Sequence, residues 1–139
     1  PPPPPFFFLM IRRPPRSTLD RSSAASDVYK RQVFEAPGTD TWHGRRARIN
    51  SVISRDNGWL AFYDGGRTFY DTYEEWCGLA WSDDGVRFER LEQHQPWVRS
   101  PYGCVRYVFA LERPSEIYFY YEYTRADGSH DLRVSVVNR

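Results

Sequence analysis

The sequence predicts an all-β fold. We expect a partial β-propeller of about two blades, each an antiparallel sheet of three to four strands, preceded by a disordered N-terminal segment. Three observations predict it. From residue 33 onward, short runs of aromatic and β-branched residues alternate with Asp, Asn, Gly and Pro clusters, the pattern of strands and tight turns. No segment sustains a 3.6-residue apolar period long enough for a helix. The pattern also occurs twice, with a period in the mid-fifties, as propeller blades do.

Each element has its own signal. Arg48 to Ile53 reads as a strand, Ser54-Arg-Asp-Asn-Gly58 as a turn, and Trp59 to Asp64 as the returning strand. Trp76 to Ser82 is a third strand. Ser82-Asp-Asp-Gly85 is a tight turn, because Asp and Gly tolerate the backbone angles it needs. Val86 to Arg90 is a short fourth strand at an edge. The plan then repeats: strand Arg106 to Leu111, turn Glu112 to Glu116, strand Ile117 to Glu122, turn Arg125 to Ser129, strand Asp131 to Val137. Arg48 matches Arg106 and Asp64 matches Glu122 at one offset, while Gly78-Leu-Ala-Trp-Ser82 aligns with Asp131-Leu-Arg-Val-Ser135.

The repeat carries chemistry. Pairing the first hairpin about Asp56 sets Arg48 opposite Asp64, and pairing the second about Pro114 sets Arg106 opposite Glu122. Residues opposed across two strands are within salt-bridge reach. In a propeller the first strand of each blade lines the central channel, so both pairs are expected at one mouth of it. Two readings fit them: structural ion pairs that close each blade, or a polar ring of fixed donors and acceptors suited to sugar hydroxyls.

Residues 1–32 stand apart. Ser22 to Gln32 and Met10 to Thr18 can be written as translations of a transposon-based sequencing adapter and a flow-cell adapter, and Pro1 to Phe8 as homopolymer DNA. We set this segment aside as non-native and expect it to pack no core, Val28 and Tyr29 included. The biological part is then residues 33–139, expected to be the C-terminal fragment of a larger protein. Residues 1–32 hold six of the nineteen basic residues and two of the eighteen acids, so the other 107 residues carry a net charge of −3 rather than the whole-chain +1. The Arg/Pro stretch is therefore no nucleic-acid arm, and the Phe6–Met10 run is too short to span a membrane. Neither nucleic acid nor membrane is an expected partner. The absence of lysine after residue 33 reads as the mark of a GC-rich bacterial genome.

Other candidates are weaker. Cys77 and Cys104 lack metal spacing; they fit buried free thiols or a single bridge. His43, His94 and His130 show no metal-ligand spacing, and no phosphate loop or nucleophile elbow is evident. Neither metal nor cofactor is expected. His43 reads as a hydrogen-bonded structural residue or a group reaching the channel, and His94 as exposed linker. His130 follows a turn and would orient the last strand. Trp97 and Tyr102 read as packing between blades rather than as sugar platforms. The polar-aromatic loop Gly65 to Glu75 reads either as a solvated loop with ordinary surface charges or as a site where Asp71, Glu74 and Glu75 are candidate hydroxyl ligands. Glu75 ranks first because it directly precedes the Trp76 strand.

Ala61-Phe-Tyr-Asp-Gly65, Gly78-Leu-Ala-Trp-Ser-Asp-Asp-Gly-Val-Arg-Phe88 and the Tyr120–Arg133 run resemble blades of five-bladed β-propeller glycosidases of the glycoside hydrolase 43 and 32 group. The Ser82–Phe88 turn is also similar, less closely, to the Asp-box turn of sialidases. This resemblance implies a parent that cleaves glycosidic bonds with paired carboxylates. The family's catalytic acids lie mainly on earlier blades, so none maps onto this sequence. The implied partners are a carbohydrate, held by Arg48, Asp64, Glu75, Arg106 and Glu122, and the missing N-terminal blades of the same chain. The fragment itself is expected to be inactive. The alternatives are a non-catalytic carbohydrate-binding propeller and a small β-sandwich interaction domain.

Overall fold

Alternating side chains and Asp/Asn/Gly turns fold the described residues into seven strands. The computed structural model describes residues 34, 38, 40–68, 70 and 74–139. Expectations about residues 1–32 and Asp71 lie outside the described residues. The strands are β1 (Arg46–Arg55), β2 (Gly58–Gly66), β3 (Trp76–Ser82), β4 (Glu89–Arg90), β5 (Val105–Glu112), β6 (Glu116–Thr124) and β7 (His130–Asn138). They form two antiparallel sheets in simple sequential order, β1-β2-β3-β4 and β5-β6-β7. Among the described residues no helix is long and apolar enough to cross a membrane.

The expected hairpins are present, with two changes. The Val86–Arg90 strand shrinks to Glu89–Arg90, paired with Ala80 and Trp81. Asp84 explains the shortening, because its Oδ1 accepts the Val86 and Arg87 N–H groups, each at 2.8 Å, and so holds those residues in the turn. Gly85 closes that turn at φ 72°, where a Cβ would be strained. The second change is the repeat alignment of the third strands. Tyr63 opposes Gly78, and its counterpart Tyr121 opposes Arg133. Gly78 therefore corresponds to Arg133, two residues beyond the Asp131 of the sequence match.

Both first strands carry a β-bulge just after the arginine. The β1–β2 register slips between Ile49 and Ser51, and the β5–β6 register slips between Arg106 and Phe109. A bulge changes which face the following side chains occupy. Beyond the β1 bulge, Ile53 enters the core between the sheets, whereas Ile49 before it joins the cluster on the opposite face. Tyr107, in the second bulge, has φ 56°, an uncommon conformation for a residue with a Cβ.

The main core lies between the sheets. Ile53, Phe62 and Cys77 of the first sheet meet Val105, Val108, Ala110 and Ile117 of the second. Trp97, in the connection, packs against Phe62 and Phe119 at ring-centroid distances of 5.5 and 5.9 Å. Tyr102 is exposed instead of packing between the sheets. Polar atoms also lock the sheets together. The Ser51 hydroxyl donates to Val108 O at 3.0 Å and accepts the Ala110 N–H at 3.1 Å. It thus satisfies backbone groups on the outer edge of β5, the edge strand of its sheet, as buried amides require. A second cluster, Trp42, Ala61, Tyr63 and Ala80, covers the far face of the first sheet.

Candidate functional site

Residues from both sheets meet at one rim. Arg48 opposes Asp64 on β1 and β2, and Arg106 opposes Glu122 on β5 and β6. The registers near the two turns differ from those at the pairs, and the bulges supply the difference. Arg48 Nη2 lies 2.8 Å from Asp64 Oδ2 and 2.9 Å from Glu75 Oε2. Arg106 Nη2 lies 2.6 Å from Glu122 Oε1.

Tyr107 joins the pairs. Its N–H points at both oxygens of Asp64, each at 3.1 Å. Its ring lies beside both guanidinium groups, with the Cζ atoms of Arg48 and Arg106 each 4.8 Å from the centroid. Such contacts favour the cations electrostatically. The left-handed backbone at Tyr107 is what allows the amide to turn toward Asp64 while the ring stays at the rim.

The two pairs present opposite members to solvent. In the first, the Asp64 side chain is 0 % exposed and the Arg48 side chain 49 %. In the second, Arg106 is 6 % exposed and Glu122 24 %. Glu75 is buried beneath Arg48, and Arg46 reaches its other oxygen at 3.8 Å. Of the five residues expected at the site, Arg48 and Glu122 thus face outward. Asp64, Glu75 and Arg106 brace them from behind. Burial opposes the charge on Arg48, but its bond to Asp64 and the nearby Glu75 charge raise its pKa above the usual value. Burial alone would raise Glu122, yet hydrogen bonds from Arg106 and His130 outweigh it and hold the carboxyl below the ordinary range. The rim is therefore a fixed set of charges: an exposed guanidinium, an aromatic face and a half-exposed carboxylate.

The histidines separate. His43 is fully buried behind the first sheet, with Nδ1 2.9 Å from the Tyr63 hydroxyl. Burial, helped by the Arg90 charge, lowers its pKa to about 4; it does not reach the rim. His94 is exposed in the connection. His130 stands at the rim, with Nδ1 2.6 Å from Glu122 Oε1. Both cysteines are buried and free. Cys104 Sγ, His130 and Glu74 lie together, their ligand atoms within 4.8 Å of one another. Sequence spacing did not reveal this group, since its members come from three separate segments.

No family model and no curated protein matches the sequence. Solved structures do. The chain superposes on a complex of BT0996 and RGII with a TM-score of 0.58 at 12 % identity, covering 79 % of this chain and 31 % of that one. It superposes on the GH43_1 enzyme from Xanthomonas citri with a TM-score of 0.52 at 16 % identity, covering 84 % of this chain and 35 % of that one. The xylose complex of that enzyme gives a TM-score of 0.53 at 15 % identity, with coverages of 86 % and 36 %. The fold is GH43-like and propeller-type. The chain spans about a third of the length of these structures.

Proposed function

We propose that residues 33–139 are two blades of a longer, five-bladed glycoside hydrolase-like propeller, and that the Arg48–Tyr107–Glu122 rim contributes to its carbohydrate-binding funnel. The reading rests on one observation above all: the arginine–carboxylate pair occurs in both sheets at the same rim, and Tyr107 ties the two copies into a single polar surface. A guanidinium fork, an aromatic face and a carboxylate are the groups that hold a sugar by its hydroxyls and its apolar ring face. Likeness to a structure that binds xylose supports a carbohydrate as the ligand. In this reading residues 1–32 are translated adapter sequence, and the acids that cleave the bond belong to other blades.

A non-catalytic carbohydrate-binding propeller is the second reading. It is favoured by the engagement of Asp64 and Glu75 with Arg48, which leaves neither acid facing the rim. One experiment separates the two. The full-length gene is recovered from its source DNA and its product assayed with xylo-oligosaccharides and aryl glycosides. Cleavage, with a KM raised tenfold or more by Arg48→Ala, supports the hydrolase. Binding without turnover supports the second reading. Neither binding nor cleavage of any carbohydrate across a glycan array removes both.

A further inference from the structure

Three segments remote in sequence bring a carboxylate, a thiol and an imidazole together beside the rim. Glu74 precedes β3, Cys104 precedes β5 and His130 opens β7. Their donor atoms all lie within 4.8 Å of one another. The group is neither a row of surface acids nor a solitary thiol. It offers one oxygen, one sulfur and one nitrogen, and its centre is formed by the fully buried Cys104.

The hydrogen-bond pattern fixes which imidazole nitrogen is available. His130 Nδ1 sits 2.6 Å from Glu122 Oε1. An ionised carboxylate can only accept, so the 2.6 Å contact favours hydrogen on Nδ1 over the longer 3.4 Å approach of Arg106 Nη2 to the same nitrogen. In the neutral ring Nε2 then keeps its lone pair. That nitrogen faces Glu74 Oε1 at 3.5 Å. Two acceptors set face to face repel unless a proton on Nε2 or a metal ion stands between them. A carboxylate behind the remote ring nitrogen is the arrangement that orients metal-binding histidines. Two nitrogen or oxygen ligands at usual zinc distances from one tetrahedral ion stand about 3.3 Å apart, close to the 3.5 Å gap between Nε2 and Glu74 Oε1; the wider spacings in the group, up to 4.8 Å, shorten on binding.

The surrounding residues leave room and hold the donors. A Cβ at Gly103 would come 2.0 Å from Glu74 Oε2, so the missing side chain is what admits the carboxylate. Trp76 Nε1 donates to Gly103 O at 3.1 Å and anchors that loop. Thr124 Oγ1 accepts the Cys104 N–H at 2.8 Å and lies 3.1 Å from Cys104 Sγ and 3.2 Å from Glu74 Oε2. It has one hydrogen to give to these two, so the other depends on a different partner. A thiolate and a carboxylate together balance a divalent ion.

The geometry points to a zinc site made by Glu74, Cys104 and His130, with Glu122 positioning the imidazole and a fourth coordination position open. Sulfur with imidazole favours zinc over the hard, oxygen-bound cations. On binding, the Cys104 S–H proton leaves to solvent and a sulfur–zinc bond replaces it. The inference is independent of the carbohydrate reading, since it uses no property of a sugar.

The test uses the full 139-residue chain, stripped with a chelator, exposed to zinc chloride and desalted. We expect one zinc per chain by atomic emission. With cobalt(II) in its place, a near-UV thiolate-to-metal absorption band should appear. Cys104→Ser should abolish that band and weaken zinc binding at least tenfold in competition with a chelating indicator. His130→Gln, on a partly exposed side chain, should weaken it similarly with unchanged circular dichroism. Glu122→Gln should cost 10- to 100-fold, the usual loss when a histidine loses its orienting partner. Cys77→Ala should leave stoichiometry and band intact. Substoichiometric zinc, absence of the cobalt–thiolate band, or Cys104→Ser and His130→Gln chains that bind as tightly as the parent would overturn the assignment.

Discussion

The two sheets carry the same face twice, buried in one copy and open in the other. On the first sheet, Ile53, Phe62 and Cys77 point toward β5 and are covered by it. Their counterparts on the second are Leu111, Tyr120 and Leu132, all exposed, with Val134 and Val136 beside them. The polar pairs differ in the same sense. Asp64 is sealed beneath the next sheet's Tyr107 amide, whereas Glu122 accepts from Arg106 and turns to His130. A repeated sequence therefore sets which side chains share a face. The neighbouring sheet decides whether that face becomes core and which member of the ion pair meets water.

The contrast can be broken most sharply in the apolar layer. Phe62→Ala should cost about 4 kcal/mol, the usual loss for emptying a buried aromatic site, whereas Tyr120→Ala at the equivalent exposed position should cost under about 1 kcal/mol. Urea midpoints measure both, and equal shifts would show that burial does not distinguish the two faces. The ion pairs come next. Asp64→Ala strands the Tyr107 amide and the Arg48 guanidinium and should cost about 3 kcal/mol. Glu122→Ala should cost about 1 kcal/mol, because its pair is partly solvated.

Acid should sharpen the difference further. His43 lies behind the first sheet only, with its pKa lowered to about 4, against an unfolded value of about 6.5. The unfolded chain thus binds the proton first. The stabilisation is complete above about pH 6.5 and is lost as pH falls toward 4, up to about 3 kcal/mol in all. Glu122, with its pKa held low, adds a loss of the same sign at more acid pH. His43→Gln should flatten the upper part of the pH–stability curve. Persistence of the full slope in that variant would assign the loss elsewhere.

Two smaller contrasts concern the backbone. A Cβ on Gly78 would lie 2.4 Å from the Tyr63 ring, while at the matching position Arg133 stretches over Tyr123 with Cζ 3.7 Å from the centroid. Gly78→Ala should therefore cost about 2 kcal/mol by overpacking, and Arg133→Ala less than half of that. At the bulges, Tyr107→Gly should be about 1 kcal/mol more stable than Tyr107→Ala, because only glycine is unstrained at that φ. At Ile49 the order of glycine and alanine should reverse.

Strands, turns and the opposed pairs were legible because each depends on neighbours close in sequence. Asp56-Asn-Gly58 and Arg125-Ala-Asp-Gly-Ser129 announce turns, and alternating residues announce faces. The bulges were not legible. Nothing in Arg48-Ile-Asn-Ser or Arg106-Tyr-Val-Phe marks an extra residue; the bonds from Ser51 and Asp64 to the bulged β5 come from the other sheet, far away in sequence. The expected opposition of Arg48 and Asp64 was nonetheless correct, since the turn and the bulge shift the register in compensating ways. Burial within the site was equally hidden. Glu75 was legible as a candidate by its place before Trp76, but not its position beneath Arg48. The Glu74–Cys104–His130 group escaped because spacing rules find ligands along a chain, and these meet only across sheets.

The contacts of Ser51 and Asp64 with β5 have a mechanical consequence. Together they act as two pegs seated in one neighbouring strand, at Val108–Ala110 and at Tyr107. Sliding β5 by one repeat of its pleat would unseat both at once and leave a buried carboxylate facing carbon. Greasy surfaces alone would permit many nearly equivalent alignments. The pegs select a single one, so stacking proceeds with a defined order and pitch.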